Sequence, residues 1–137
     1  MLEQVMIYLA GLPAFLAYFA IGGILLVIYT SLYNWLTPLD EWELIKKSDT
    51  AAAIAFAGSL LGFVIPLSTA IENAQTNLEC VLWGVVALIV QLVAFFSVRL
   101  FVPSISEKIR QGEVAAGILL ACISLSVGML NAASMTF

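Results

Sequence analysis

The chain has no histidine, only two cysteines and few charges: five basic and nine acidic residues among 137. Without His, and with Cys80 and Cys122 far apart in sequence, no Cys/His metal set can be assembled. No Asp or Glu falls in the middle of a long apolar run, so the carboxylates that intramembrane proton relays use are missing. No nucleophile stands beside a base, and no phosphate-binding loop is present. These absences argue against an enzyme, a cofactor or a metal, and no nucleic-acid partner is expected. The N-terminal MLEQVMIY carries an acid in place of a basic n-region, and no small-residue cleavage site follows, so it does not read as a signal peptide.

What is abundant is apolar surface. Hydrophobic residues make up 63% of the chain, charged residues only 10%, and the mean hydropathy is +1.09. A soluble domain this small has too much surface to hide that material. The expected fold class is an all-α integral membrane protein forming one membrane domain over 1–137. Four runs reach the roughly 20 apolar residues needed to cross a bilayer: about 12–36, 50–71, 81–102 and 114–134. The uncharged run from Gln4 to Leu36 is too long for one crossing. Gly11, Leu12 and Pro13 are expected to divide it and leave 2–10 as a short interfacial helix, a single long tilted helix being the alternative.

All basic residues lie near two connections: Lys46 and Lys47 between the first and second runs, and Arg99, Lys108 and Arg110 around the third and fourth. The positive-inside rule puts both connections in the cytoplasm and both termini outside. The first connection reads as a short amphipathic helix capped by Thr37, with Pro38 in its first turn, Asp40 and Glu41 at its positive end, and Leu39, Trp42 and Ile45 on one face. Ser48 or Asp49 then caps the second span. The second connection repeats the plan: Pro103 comes first, Ser104 and Glu107 stand at capping-box spacing, and Ile105 and Ile109 share a face.

The likeness extends further. At an offset of 64 residues, Glu43, Ile45, Ala51, Ala52, Ile54, Ala57 and Leu61 meet identical residues at Glu107, Ile109, Ala115, Ala116, Ile118, Ala121 and Leu125. Pro38 meets Pro103 with one residue of slip. This reads as two parallel two-helix repeats, about 12–73 and 79–137, related by an axis near the membrane normal, although two membrane hairpins could also resemble each other through composition alone.

Several groups stand out as candidate sites. Gly58, Ser59 and Gly62 form a small-residue face for helix packing, with Cys122, Ser126 and Leu130 on the corresponding face of the fourth run. Pro66, Ser68, Thr69, Glu72 and Asn73, with Asn131 and Ser134 at matching depth, are expected to gather at the outer mouth, either as a polar vestibule or as helix-end capping. Gln91 falls near the midplane, with Ser59 and Ser124 at similar depth, as a hydrogen-bonded core lock or a pore lining. Glu43, Lys46, Lys47, Arg99, Glu107, Lys108 and Arg110 form a mixed-charge cytoplasmic rim, with Arg99 able to pair with Glu43 or Glu107. Cys122 is expected to be a buried, inert thiol, and no disulfide is expected between cysteines at such different depths.

The stretch EWELIKKSDTAAAIAFAGSLLGFVIPLSTAIENA, with VRLFVPSISEKIRQGEVAAGILL and LNAASMTF, resembles the YjfL-type family of small bacterial inner-membrane proteins. The resemblance covers Phe15 to Phe137. It implies four spanning helices from two tandem copies of a domain of unknown function, and a bacterial inner membrane; it supplies no activity. Relatives encoded beside phage-shock-like peripheral membrane proteins and glutathionylspermidine-synthase-like enzymes imply a role in envelope stress or polyamine–thiol metabolism. Two main functions follow as expectations. One is a non-catalytic, self-associating membrane protein that contacts lipid and presents its charged rim to a cytoplasmic protein. The other is an oligomeric channel or small-solute transporter, and a third is an enzyme subunit handling a lipid or thiol.

Overall fold

The computed structural model describes residues 1–36, 41–102 and 104–135, with the side chains of 41 and 42 outside that description. The expected roles of Thr37, Pro38, Leu39, Asp40 and Pro103, and the placement of the Trp42 side chain, therefore lie outside the described residues. Seven helices and no strand occur among the described residues: α1 (Leu2–Leu9), α2 (Leu12–Leu36), α3 (Glu41–Lys46), α4 (Thr50–Asn73), α5 (Asn77–Phe101), α6 (Ile105–Arg110) and α7 (Val114–Ser134). The runs containing α2, α4, α5 and α7 are long and apolar enough to cross a membrane. At 1.5 Å per residue the 25 residues of α2 reach about 37 Å, beyond the ~30 Å hydrocarbon core.

The break between α1 and α2 falls at Ala10 and Gly11. It is a mild one, because Ala10 stays in the right-handed helical region and the Gly11 N–H still reaches Tyr8 O at 3.2 Å. No residue of α1 is buried. The third span begins earlier than hydropathy suggests, at Asn77. Thr76 accepts a hydrogen bond from the Glu79 N–H at 3.1 Å, and the Glu79 carboxylate accepts from the Gln75 N–H at 3.2 Å. One orphan donor at the helix start is thereby satisfied and the residue before the cap is tied to the first turn, and polar capping extends the helix beyond its apolar run.

The two connections close in the same way. After α3, the Lys47, Ser48 and Asp49 N–H groups donate to Glu43, Ile45 and Leu44 carbonyls; after α6, those of Gln111, Gly112 and Glu113 donate to Glu107, Ile109 and Lys108. The turn needs a left-handed residue, supplied by Ser48 (φ 62°) in one case and Gly112 (φ 81°) in the other. Asp49, rather than Ser48, caps α4, accepting from the Ala52 N–H at 3.1 Å. Ser104 makes no side-chain cap bond, so the expected capping box at α6 does not form. Glu107 instead binds Arg110. Ile105 and Ile109 do share one face, and both are buried.

The most extensive helix pair is α4 with α7. Ala51 lies against Gly117, Gly58 against Ala121, and Gly62 against Ser124 and Gly128, an order that makes the two helices parallel. Side chains are nearly absent from this seam. A methyl on Gly58 would run into Ala121 Cβ, and one on Gly117 would run into Ala51 O. Close backbone approach of this kind is the usual basis of helix association in lipid, where no hydrophobic force separates protein from tails. Pro66 lies within α4 and removes the N–H that would have bound Gly62 O. That carbonyl points at Gly128, where a hydrogen stands in place of a side chain. The face of α7 in this seam is Gly117, Ala121, Ser124 and Gly128, and not the expected Cys122, Ser126 and Leu130, which are exposed. The Cys122 thiol is therefore on the surface, and it is Cys80 that is buried.

α2 joins this pair through one stripe, Gly22, Leu25, Tyr29 and Tyr33. Leu25 occupies the space left over Gly84 of α5. Tyr29 stacks on Phe63 with centroids 4.6 Å apart, and Tyr33 meets Phe95 edge-on at 5.2 Å.

Candidate functional site

Each long helix contributes a buried polar residue: Tyr29, Ser59, Gln91 and Ser124, the last three at 1%, 1% and 2% exposure. The Tyr29 hydroxyl and Ser59 Oγ share a short hydrogen bond, with Gln91 as a second polar neighbour of the phenol. Gln91 Nε2 donates to the Ser124 backbone carbonyl at 3.2 Å. That carbonyl is within reach because Gly62 has no side chain: a methyl there would collide with both Ser124 O and Gln91 Nε2. Gln91 Oε1 is buried and has no hydrogen-bond partner among the described residues.

Ser59, Gln91 and Ser124, singled out from the sequence, are thus brought together. Tyr29 and Tyr33 were not. Their four-residue spacing puts two phenols on one face of an otherwise apolar span, which is the signal that could have found them.

The residues expected at the outer mouth are not gathered in the same way. Ser68 and Thr69 hydroxyls donate to Ile65 O, Asn73 Nδ2 to Thr69 O and Ser134 Oγ to Leu130 O, each within its own helix. Glu72 is exposed, Pro66 is buried in the α4 core face, and Ser68 faces an apolar groove between α2 and α4. Asn131 Nδ2 is buried and has no hydrogen-bond partner among the described residues.

At the opposite end the two charged connections meet. Leu44, Lys47, Asp49, Arg110, Gln111 and Val114 line one groove. Lys47 pairs with Glu43 at 3.2 Å and Arg110 with Glu107 at 3.1 Å, all four side chains being about half exposed or more. Pairs this wet contribute at most about 1 kcal/mol each. Lys46 and Lys108 are exposed at the same end. Arg99 forms no ion pair with Glu43 or Glu107 among the described residues; it lies over the Phe95 ring of its own helix, 5.9 Å from the centroid. All five basic residues therefore belong to one end, whereas Glu3, Glu72 and Glu79 are the charged residues of the other. No cluster of three potential metal ligands occurs among the described residues.

The family model described as Domain of Unknown Function (DUF350) matches residues 6–135. The UPF0719 inner membrane protein YjfL of Escherichia coli (strain K12) is 46% identical over 129 residues, covering 94% of this chain and 98% of the relative. The UPF0719 transmembrane protein YshE of Bacillus subtilis (strain 168) is 26% identical over 119 residues, covering 85% and 89%. No solved structure matches. With four helices of spanning length and these relatives along almost its whole length, the chain belongs to the DUF350 (UPF0719) family of inner-membrane proteins.

Proposed function

We propose that the protein is a non-catalytic, self-associating inner-membrane scaffold whose charged end lies in the cytoplasm and receives a protein partner in envelope stress or membrane maintenance. The observation that carries this reading is the groove built jointly by both connections, with Lys47, Asp49 and Arg110 on its walls. Its mixed signs suit a partner of patterned charge better than a purely anionic lipid surface. The positive-inside rule supports the cytoplasmic placement of this end. The sealed α4–α7 seam supports a structural role: parting these helices to admit a solute would break backbone-level contacts at Gly58, Gly62, Gly117 and Gly128.

The test is a pull-down from cytosol by the protein in nanodiscs. The double reversal Lys47→Glu with Arg110→Glu is expected to abolish capture of the partner taken by the native chain while helix content stays the same. Capture that is indifferent to the reversal removes this reading.

A second reading, an oligomeric channel or small-solute transporter with its outer mouth near Asn73 and Asn131, is favoured by one observation, the buried Asn131 Nδ2, which has no hydrogen-bond partner among the described residues. Saturable flux in liposomes that disappears with Asn131→Ala would establish it in place of the scaffold.

A further inference from the structure

Within the chain, the contact between the two halves is face to back. α2 and α5 have the same length and stand 65 residues apart at both ends; α3 and α6, and the starts of α4 and α7, stand 64 apart. Through that register, the α7 face in the seam (Gly117, Ala121, Ser124, Gly128) corresponds to Ala53, Ala57, Leu60 and Val64 of α4. The face α4 itself uses is Ala51, Gly58 and Gly62. These two sets differ by about two residues, or roughly 200° around a helix, so the halves present opposite sides to each other. A contact of that kind leaves one unsatisfied copy of each side: the front of the first half and the back of the second.

Both unsatisfied sides are visible. Three surface grooves lie on the first half, and part of the lining of each matches buried residues of the second. Phe19, Gly23, Leu26 and Val64 line one, and their counterparts Gly84, Leu88, Gln91 and Gly128 are all buried. Thr30, Phe56 and Leu60 line another, and their counterparts Phe95, Leu120 and Ser124 are buried. Ala53 and Ala57 line the third, and their counterparts Gly117 and Ala121 are covered by Ala51 and Gly58. On the other side, the α7 counterparts of Ala51, Gly58 and Gly62, namely Ala115, Cys122 and Ser126, are exposed.

We infer that the back of α7 in one copy docks into the grooves of the first half in a second copy, repeating between chains the contact that already exists within one. Cys122 then stands against Ala57 of the neighbour, and Ser126 against Leu60 and Val64. The paired positions lie at equal depth, Gly58 eight residues into α4 and Ala121 seven into α7. The operation therefore involves no climb along the membrane normal, and copies related by it extend side by side in the bilayer plane. This rests on the self-association part of the proposed function and names its interface.

The experiment uses the native Cys122 thiol. Ala57→Cys in a Cys80→Ala background, treated in membranes with a short bifunctional methanethiosulfonate, is expected to give a ladder of covalent species beyond the dimer. The chain with Cys122 alone is expected to give none. No ladder from the Ala57→Cys chain, or a single dimer band given equally by Cys122 alone, overturns the inference. As a second measurement, Ala57→Trp at this exposed position is expected to lower the mass seen by light scattering to that of one chain with helix content unchanged; an unchanged mass counts against the interface. A native chain that is itself monomeric removes self-association altogether, whereas an oligomer whose Ala57→Cys variant forms no cross-link to Cys122 removes only this interface.

Discussion

The Tyr29–Ser59 hydrogen bond and the Gln91–Ser124 bond fasten helices together within a largely apolar interior. Interhelical hydrogen bonds inside a membrane contribute modestly, because the unfolded helices in lipid also find partners. Tyr29→Phe and Gln91→Leu are each expected to cost about 1 kcal/mol, read as a lower midpoint in an SDS unfolding titration. Adding Ser59→Ala to Tyr29→Phe is expected to cost little more, since the bond is already gone. The glycines of the seam weigh more. Gly58→Leu forces apart two helices that meet at Ala121, and its loss is expected to exceed the roughly 1–3 kcal/mol typical of overpacked cores.

Single elements differ in how their ends are held, even where the sequence looks alike. Asp49 and Glu113 occupy matching N-cap positions, yet only Asp49 makes a side-chain cap bond. Asp49→Ala is therefore expected to cost about 1 kcal/mol, with faster amide exchange at Ala52, and Glu113→Ala close to nothing. The preceding turn makes the opposite contrast. Ser48 holds a left-handed conformation that its counterpart Gly112 adopts without penalty. Ser48→Gly is expected to stabilise by about 1 kcal/mol in the same SDS titration.

For the molecule as a whole, sidedness is the decisive property. Lys47 and Arg110 line one groove, so they must lie on the same face of the bilayer. In intact cells, an impermeant maleimide is expected to miss both Lys47→Cys and Arg110→Cys, to react with them after permeabilisation, and to reach Glu72→Cys from outside. Labelling of the two loop positions from opposite sides would contradict the fold itself.

Hydropathy and charge by themselves determined the four spans, their common class and the grouping of the basic residues, because crossing a bilayer imposes a length and an apolar composition that few sequences meet by accident. The midplane trio Ser59, Gln91 and Ser124 was legible for a related reason: polar atoms in lipid are costly enough to be conspicuous. What remained was decided only by tertiary packing. Which way a uniformly apolar helix turns is barely encoded when lipid and protein interior are equally apolar, so Cys122 could be read as buried and Tyr29 passed over. Rotation about the helix axis was set by where backbones approach most closely, at Gly58, Gly62, Gly117 and Gly128, and that choice left the back of α7 facing outward.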